Sequence, residues 1–246
     1  MTNTWIEYWR KDCFWRDSDI FKINADLFFR QISRMICLSQ DDSILDIGCG
    51  PGYLEEIMAP LVKNIMALDV SEQFVEICKK RCETFNNVNT TLLDADTYTD
   101  LNFLNESFSL VLLISVIQYY NDFEEVKELI TSVKKIVKPG GKLLIADIPL
   151  KRSRICIILD MIASILQSIR FGYFFKLLKI ALIKYLADLD KSSCSRINSL
   201  YFTIEDFETA MRSMGLKGKL IRKNFSVYAN RVGILIEFEN MEKTNG

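Results

Sequence analysis

Histidine is absent from all 246 residues. Its absence removes the commonest general base and every zinc site that relies on imidazole. An excess of one charge is also missing. Lys and Arg total 31 against 32 Asp and Glu, and the sequence pI is about 5.7, so no basic surplus draws the chain to nucleic acid. The seven cysteines are scattered, odd in number and never spaced as Cys-x-x-Cys. The N-terminus carries no secretory signal pattern, so the expectation is reduced thiols in a cytoplasmic protein. Cys78 and Cys82 lie one helical turn apart and are read as two buried thiols rather than half a metal site; no metal is expected. No stretch offers the ~18 uninterrupted apolar residues that a membrane span needs. The apolar share is 49%, enough for one large domain or a domain carrying an insert.

Within that frame one run is dense with information. Ile44-Leu45-Asp46-Ile47 reads as a buried parallel strand, and Gly48-Cys49-Gly50-Pro51-Gly52 turns the backbone tightly with little side chain above it. Tyr53 to Met58 then restores a helical pattern. A strand, a glycine turn and a helix N-terminus bring backbone N–H groups to a polar ligand. The dinucleotide fingerprint Gly-x-Gly-x-x-Gly would place its last glycine at Tyr53, so a nicotinamide-type site is disfavoured. A second apolar strand, Asn64 to Leu68, stops at Asp69, where an acid can accept the hydroxyls of a ribose.

These landmarks recur in order with two more: Leu93-Asp94-Ala95 after a third strand, and Lys138-Pro139-Gly140-Gly141-Lys142 before a fifth. The set resembles the class I S-adenosylmethionine-dependent methyltransferases, closely over about 40–150 and more loosely over the last forty residues. The resemblance implies an α/β, doubly wound, mostly parallel seven-stranded sheet, and S-adenosylmethionine as cofactor. The cofactor contacts it implies are Asp46, Gly48, Cys49, Gly50, Gly52, Asp69, Val70 and Ile114, with Asp94 beside the adenine amino group and Ala95 N–H near a ring nitrogen. It also implies an N-terminal cap whose Tyr8 hydroxyl reaches the methionine carboxylate. Phe108 to Ile114 forms the central fourth strand, and the loop after it would lie by the transferred methyl. Gln118, Tyr119 and Tyr120 are acceptor-positioning candidates there, and Asp147 ends the fifth strand at the same edge. Gln118, Tyr119 and Asp147 are the catalytic candidates, with a base needed only for a hydroxyl or acidic-carbon acceptor.

The expected organisation is a cap over 1–40, a cofactor domain over 41–149 and 201–246, and an inserted helical lid over 150–200. Helices are expected over 26–38, 72–85 and 122–137, and from a capping start at Thr203 to Gly215. Closing strands are expected near 216–223 and 231–238, forming an antiparallel edge. Residues 151–191 carry eight basic and three acidic residues, a local +5. Peripheral membrane contact through this stretch is therefore an alternative to the lid, and core helices or a dimer contact are others. The function expected is methylation of a small, hydrophobic, lipid-like or carrier-linked acceptor, cytoplasmic or peripheral to membrane. The competing readings are a non-catalytic S-adenosylmethionine-binding or membrane-associated partner protein, and a different nucleotide-binding enzyme.

Overall fold

A computed structural model describes residues 4–10, 19–151, 154–170, 172–176, 178, 200–222, 225–228 and 231–239. Two helices, α1 (Thr4–Arg10) and α2 (Asp19–Met35), precede the sheet. The chain then runs β1 (Ser43–Ile47), α3 (Tyr53–Met58), β2 (Asn64–Asp69), α4 (Glu72–Arg81), β3 (Val88–Leu92), β4 (Phe108–Ile114), α5 (Phe123–Ile136) and β5 (Val137–Pro149). It closes with α6 (Arg154–Arg170), α7 (Ile204–Ser213), β6 (Gly218–Ile221) and β7 (Arg231–Glu237). The seven strands form one sheet in the order β3-β2-β1-β4-β5-β7-β6. The first five are parallel, and β7 runs antiparallel between β5 and the edge strand β6.

Strands β1 and β4 read as continuous apolar runs because both of their faces are covered. The side-chain alternation splits the core in two. Leu45, Ile47, Val111, Leu113, Leu143 and Ile145 face α5, α7 and Trp5 of α1. Ile44, Leu110, Leu112, Leu144 and Ala146 face α2 and α3. The strand order reverses between β1 and β4, and the crevice beyond the carboxyl ends of these two strands is where such sheets take ligands.

Three expectations shift at their edges. α2 starts at Asp19 and stops at Met35. α4 stops at Arg81, not Phe85, because Phe85 N–H bonds back to Cys82 O in a turn while Asn87 Nδ2 donates to Ala59 O and Val62 O. β5 begins at Val137, and the Pro139-Gly140 turn lies within it: Gly140 N–H donates to Phe238 O, so the end of β7 keeps that stretch in the sheet. α7 carries the expected cap, with Thr203 and Asp206 bonded reciprocally. Gly215, at φ 65°, closes it through Leu216 N–H to Met211 O and Gly215 N–H to Arg212 O, a Schellman ending.

Residues 151–201 leave and return at one point, since Lys151 N–H donates to Phe202 O and Phe202 N–H to Pro149 O. Much of the expected lid, including 179–199, and part of the expected cap, 11–18, lie outside the described residues. Among the described residues no helix is long and apolar enough to cross a membrane, and no group of three or more acids and cysteines could hold a metal.

Candidate functional site

The turn after β1 is lashed to β2, with Gly48 and Cys49 N–H both donating to Leu68 O at 2.7 and 3.0 Å. Gly48, Gly50 and Gly52 all take positive φ, the region that disfavours any Cβ. A Cβ on Gly48 would overlap Val116 Cγ2, which follows β4, and one on Gly52 would lie 2.7 Å from Cys78 Sγ in α4. The turn therefore sits at the switch point with no side chain on its three glycines. Asp69, at the tip of β2, faces it: Gly50 N–H donates to Oδ2 and Ser71 N–H to Oδ1, both at 2.9 Å. Burial pushes this carboxyl up to about 6, against the opposing pull of those N–H groups.

Beneath the turn lies a second acid pair. Asp46 and Glu55 are buried, at 3% and 0% exposure, and neither has a cationic partner among the described residues. Two ionised carboxylates in contact would repel, so a shared proton is the stable arrangement. Burial pushes Asp46 up to about 6, and burial with the Asp46 charge pushes Glu55 well above its ordinary value. The folded chain thus holds protons that the unfolded chain releases, and this pair's contribution to stability falls as pH rises from about 4 through 6 and above. Glu55→Gln supplies an amide N–H to Asp46 without a shared proton. Urea unfolding at pH 5 and pH 8 is expected to show a smaller loss on going to pH 8, where the variant is more stable than wild type by about 1–3 kcal/mol. A variant less stable at both pH values would show that the pair shares no proton.

Aromatic side chains close the crevice from above. Trp9 bridges Phe74, which follows β2, and Tyr119, which follows β4, with ring centroids 5.8 and 5.2 Å apart. Phe21 of α2 lies over Gly50 and against Phe74, and Arg10 Nε donates to Val70 O. On the other side of the crevice, Ser115 and Asp147 both adopt left-handed backbone (φ 59° and 61°) at the ends of β4 and β5. The β5–β7 register shifts between Ile145 and Ile148, and this bulge aims Asp147 at its neighbours. Its Oδ2 accepts a short hydrogen bond from the Ser115 hydroxyl, and Oδ1 accepts one from Ser226 at 2.6 Å. Burial raises the Asp147 carboxyl, opposed by the Arg231 charge and the two serines. Gln118 donates from Nε2 to Ser115 O, while its Oε1 is buried with no donor among the described residues.

Residues 44–141 match the family described as a methyltransferase domain. That segment and its relatives support a methyltransferase domain of the class I S-adenosylmethionine-dependent kind. The chain is similar to the demethylmenaquinone methyltransferase of Tropheryma whipplei strain Twist, 24% identical over 48% of this chain and 46% of that protein. It is also similar to the ubiquinone biosynthesis O-methyltransferase of Mesorhizobium japonicum, 33% identical over 43% of this chain and 40% of that protein. The chain thus spans less than half the length of either relative. The crystal structure of the N-methyltransferase NodS from Bradyrhizobium japonicum WM9 with S-adenosyl-L-homocysteine superposes with a TM-score of 0.55 at 18% identity, over 98% of this chain and 100% of that one. That likeness is one of fold.

Most of the residues expected at the cofactor fall around one crevice. Asp46, Gly48, Cys49, Gly50, Gly52 and Asp69 form the turn and its floor, with Val70 and Ile114 buried at the ends of β2 and β4. Asp94 is exposed, its Oδ1 taking Asp96 N–H in a turn, and Ala95 packs on the core. Tyr8 stacks edge-on against Trp9. Of the acceptor candidates, Gln118, Tyr119 and Asp147 share the β4–β5 edge. Burial pushes Tyr119 up to about 12, so it stays a neutral hydroxyl at physiological pH. Tyr120 is instead buried against Trp5 and Tyr98, a packing residue. Sequence reasoning missed Glu55, Ser226 and Arg231, and passed over Ser115 as the plain end of a strand.

Proposed function

We propose that this protein transfers a methyl group from S-adenosylmethionine to a small, apolar acceptor that gives up a proton. The carrying observation is the bare glycine turn facing Asp69 at the switch point. The residues present fit the cofactor: Asp69 for the ribose hydroxyls, the side-chain-free glycines of the turn Gly48 to Gly52 for the amino-acid tail, and Asp46 Oδ1, which lacks a donor among the described residues, for its ammonium. When bound, the cofactor supplies a methyl already activated by its sulfonium charge.

The chain's own residues supply position, dryness and a place for the proton. Trp9, Phe21 and Phe74 exclude water, which strengthens the polar contacts inside. Gln118 Oε1 offers an acceptor for an N–H or O–H on the incoming molecule. Ser115, half-buried, is the accessible end of a relay. A hydroxyl acceptor gives its proton to Ser115 Oγ, while the Ser115 proton passes to Asp147 Oδ2. The apolar roof and the basic, aliphatic insert favour a hydrophobic, lipid-like or carrier-linked acceptor, and peripheral contact with a membrane would bring such a molecule within reach.

Calorimetry with S-adenosylmethionine and S-adenosyl-L-homocysteine tests the reading. Saturable binding of both is expected, and Asp69→Ala is expected to weaken it by about 10- to 100-fold through loss of charge-assisted bonds. Wild-type affinity in that variant would remove Asp69 from the site.

A further inference from the structure

Helix α6 turns an aliphatic stripe outward. Ile155, Ile158, Leu159, Ile162, Leu166 and Ile169 are exposed, from 49% at Ile162 to 72% at Ile155. At the α-helical 100° per residue these six lie within an arc of about 100°, the width of a normal core-facing stripe. The opposite side carries Ser164, half-buried, and Ser168, 1% exposed, whose hydroxyl turns back to Ile165 O at 2.7 Å. A helix of a water-soluble body points its aliphatic stripe inward. Here, among the described side chains of the helix, Ser168 is the buried one and the aliphatic stripe faces out. The apolar surface continues beyond the helix, with Phe175 80% exposed.

Charge selects what covers it. Exposed Lys151 and Arg170 flank the stripe at its two ends, within the segment 151–191 whose eight basic and three acidic residues give +5 in a chain of net charge −1. A second copy related by a twofold axis would set Lys151 and Arg170 against their own counterparts, whereas an anionic lipid surface supplies the opposite sign together with an apolar layer. We infer that the outer face of α6 is a docking surface for an anionic membrane, with the helix lying in the interface plane. Its 17 residues reach only about 25 Å, short of a span. This inference stands apart from methyl transfer, and its test reads no turnover.

The test is vesicle flotation of the purified protein with phosphatidylcholine vesicles, with and without phosphatidylglycerol, at low and high salt. Binding to the anionic vesicles, reduced by salt, is expected, with the pair Ile158→Glu and Ile162→Glu lowering it about tenfold or more. Both positions are exposed, so the variant is expected to keep wild-type S-adenosyl-L-homocysteine affinity, which reports that it is folded. No binding by wild type, equal binding to neutral vesicles, or equal binding by the folded variant would each overturn the inference. So would a wild-type dimer in sedimentation that the variant abolishes, because a second copy would then cover the stripe.

Discussion

Gly52→Ala is expected to destabilise the protein by about 2–5 kcal/mol and to remove measurable S-adenosyl-L-homocysteine binding, two effects with one geometric cause. At φ 81° an alanine costs about 1–2 kcal/mol in backbone strain alone. The new Cβ would then stand 2.7 Å from Cys78 Sγ and 2.8 Å from Cys78 Cα. The Cα belongs to the main chain of α4, so no rotamer change relieves the contact; the turn or the helix has to move. Gly50→Ala is the control. Its φ of 56° carries similar strain, but its Cβ would meet only Phe21 Cε1 at 3.7 Å, an ordinary contact. The difference between the two variants in urea unfolding isolates the close approach of the turn to α4. Equal stabilities would show that the turn yields freely there, and that its tight seating on α4 does not fix its shape.

That close approach explains what the sequence disclosed and what it withheld. The glycine turn and Asp69 were legible because a turn writes its needs locally: positive φ demands glycine, and a strand tip places its last acid at the sheet edge. The parallel order of β1 to β5 came with the family resemblance, since β3, Val88-Asn89-Thr90-Thr91-Leu92, is no apolar run. Partners distant along the chain were not legible. Ser226 meets Asp147 across 79 residues, and only the β5–β7 pairing and its bulge bring them together. Glu55 looks like an ordinary first-turn acid of α3 until the turn folds it back onto Asp46. The extent of β5 was underestimated because Pro139-Gly140 is a turn by composition, while its hydrogen bonds go to Phe238. For α6 the helical period was visible in the sequence. Which side faces the body depends on packing and cannot be read from a period.

Asp147→Asn is expected to lower turnover by about 10²–10⁴ with cofactor affinity unchanged, the loss typical of removing a general base. The variant is a fair test because asparagine tolerates the left-handed backbone that Asp147 adopts. Its carbonyl oxygen still accepts from one serine, and the other hydroxyl can turn to accept from the new amide. Stability is therefore expected to change little, and only the proton-accepting capacity is lost. The pH profile carries the discriminating sign. Burial raises the Asp147 carboxyl above its ordinary range, so wild-type turnover rises with pH through that raised value, and the acid limb disappears in the variant. Ser115→Ala leaves the carboxylate in place but cuts the accessible end of the relay, so it lowers turnover in the same direction and keeps the limb. S-adenosyl-L-homocysteine release, followed with the acceptor found by screening metabolite extracts against radiolabelled methyl donor, measures all three proteins. If the asparagine variant turns over at the wild-type rate with the wild-type pH profile, the acceptor arrives already deprotonated. The two strained residues at the ends of β4 and β5 then serve to position it, not to take its proton.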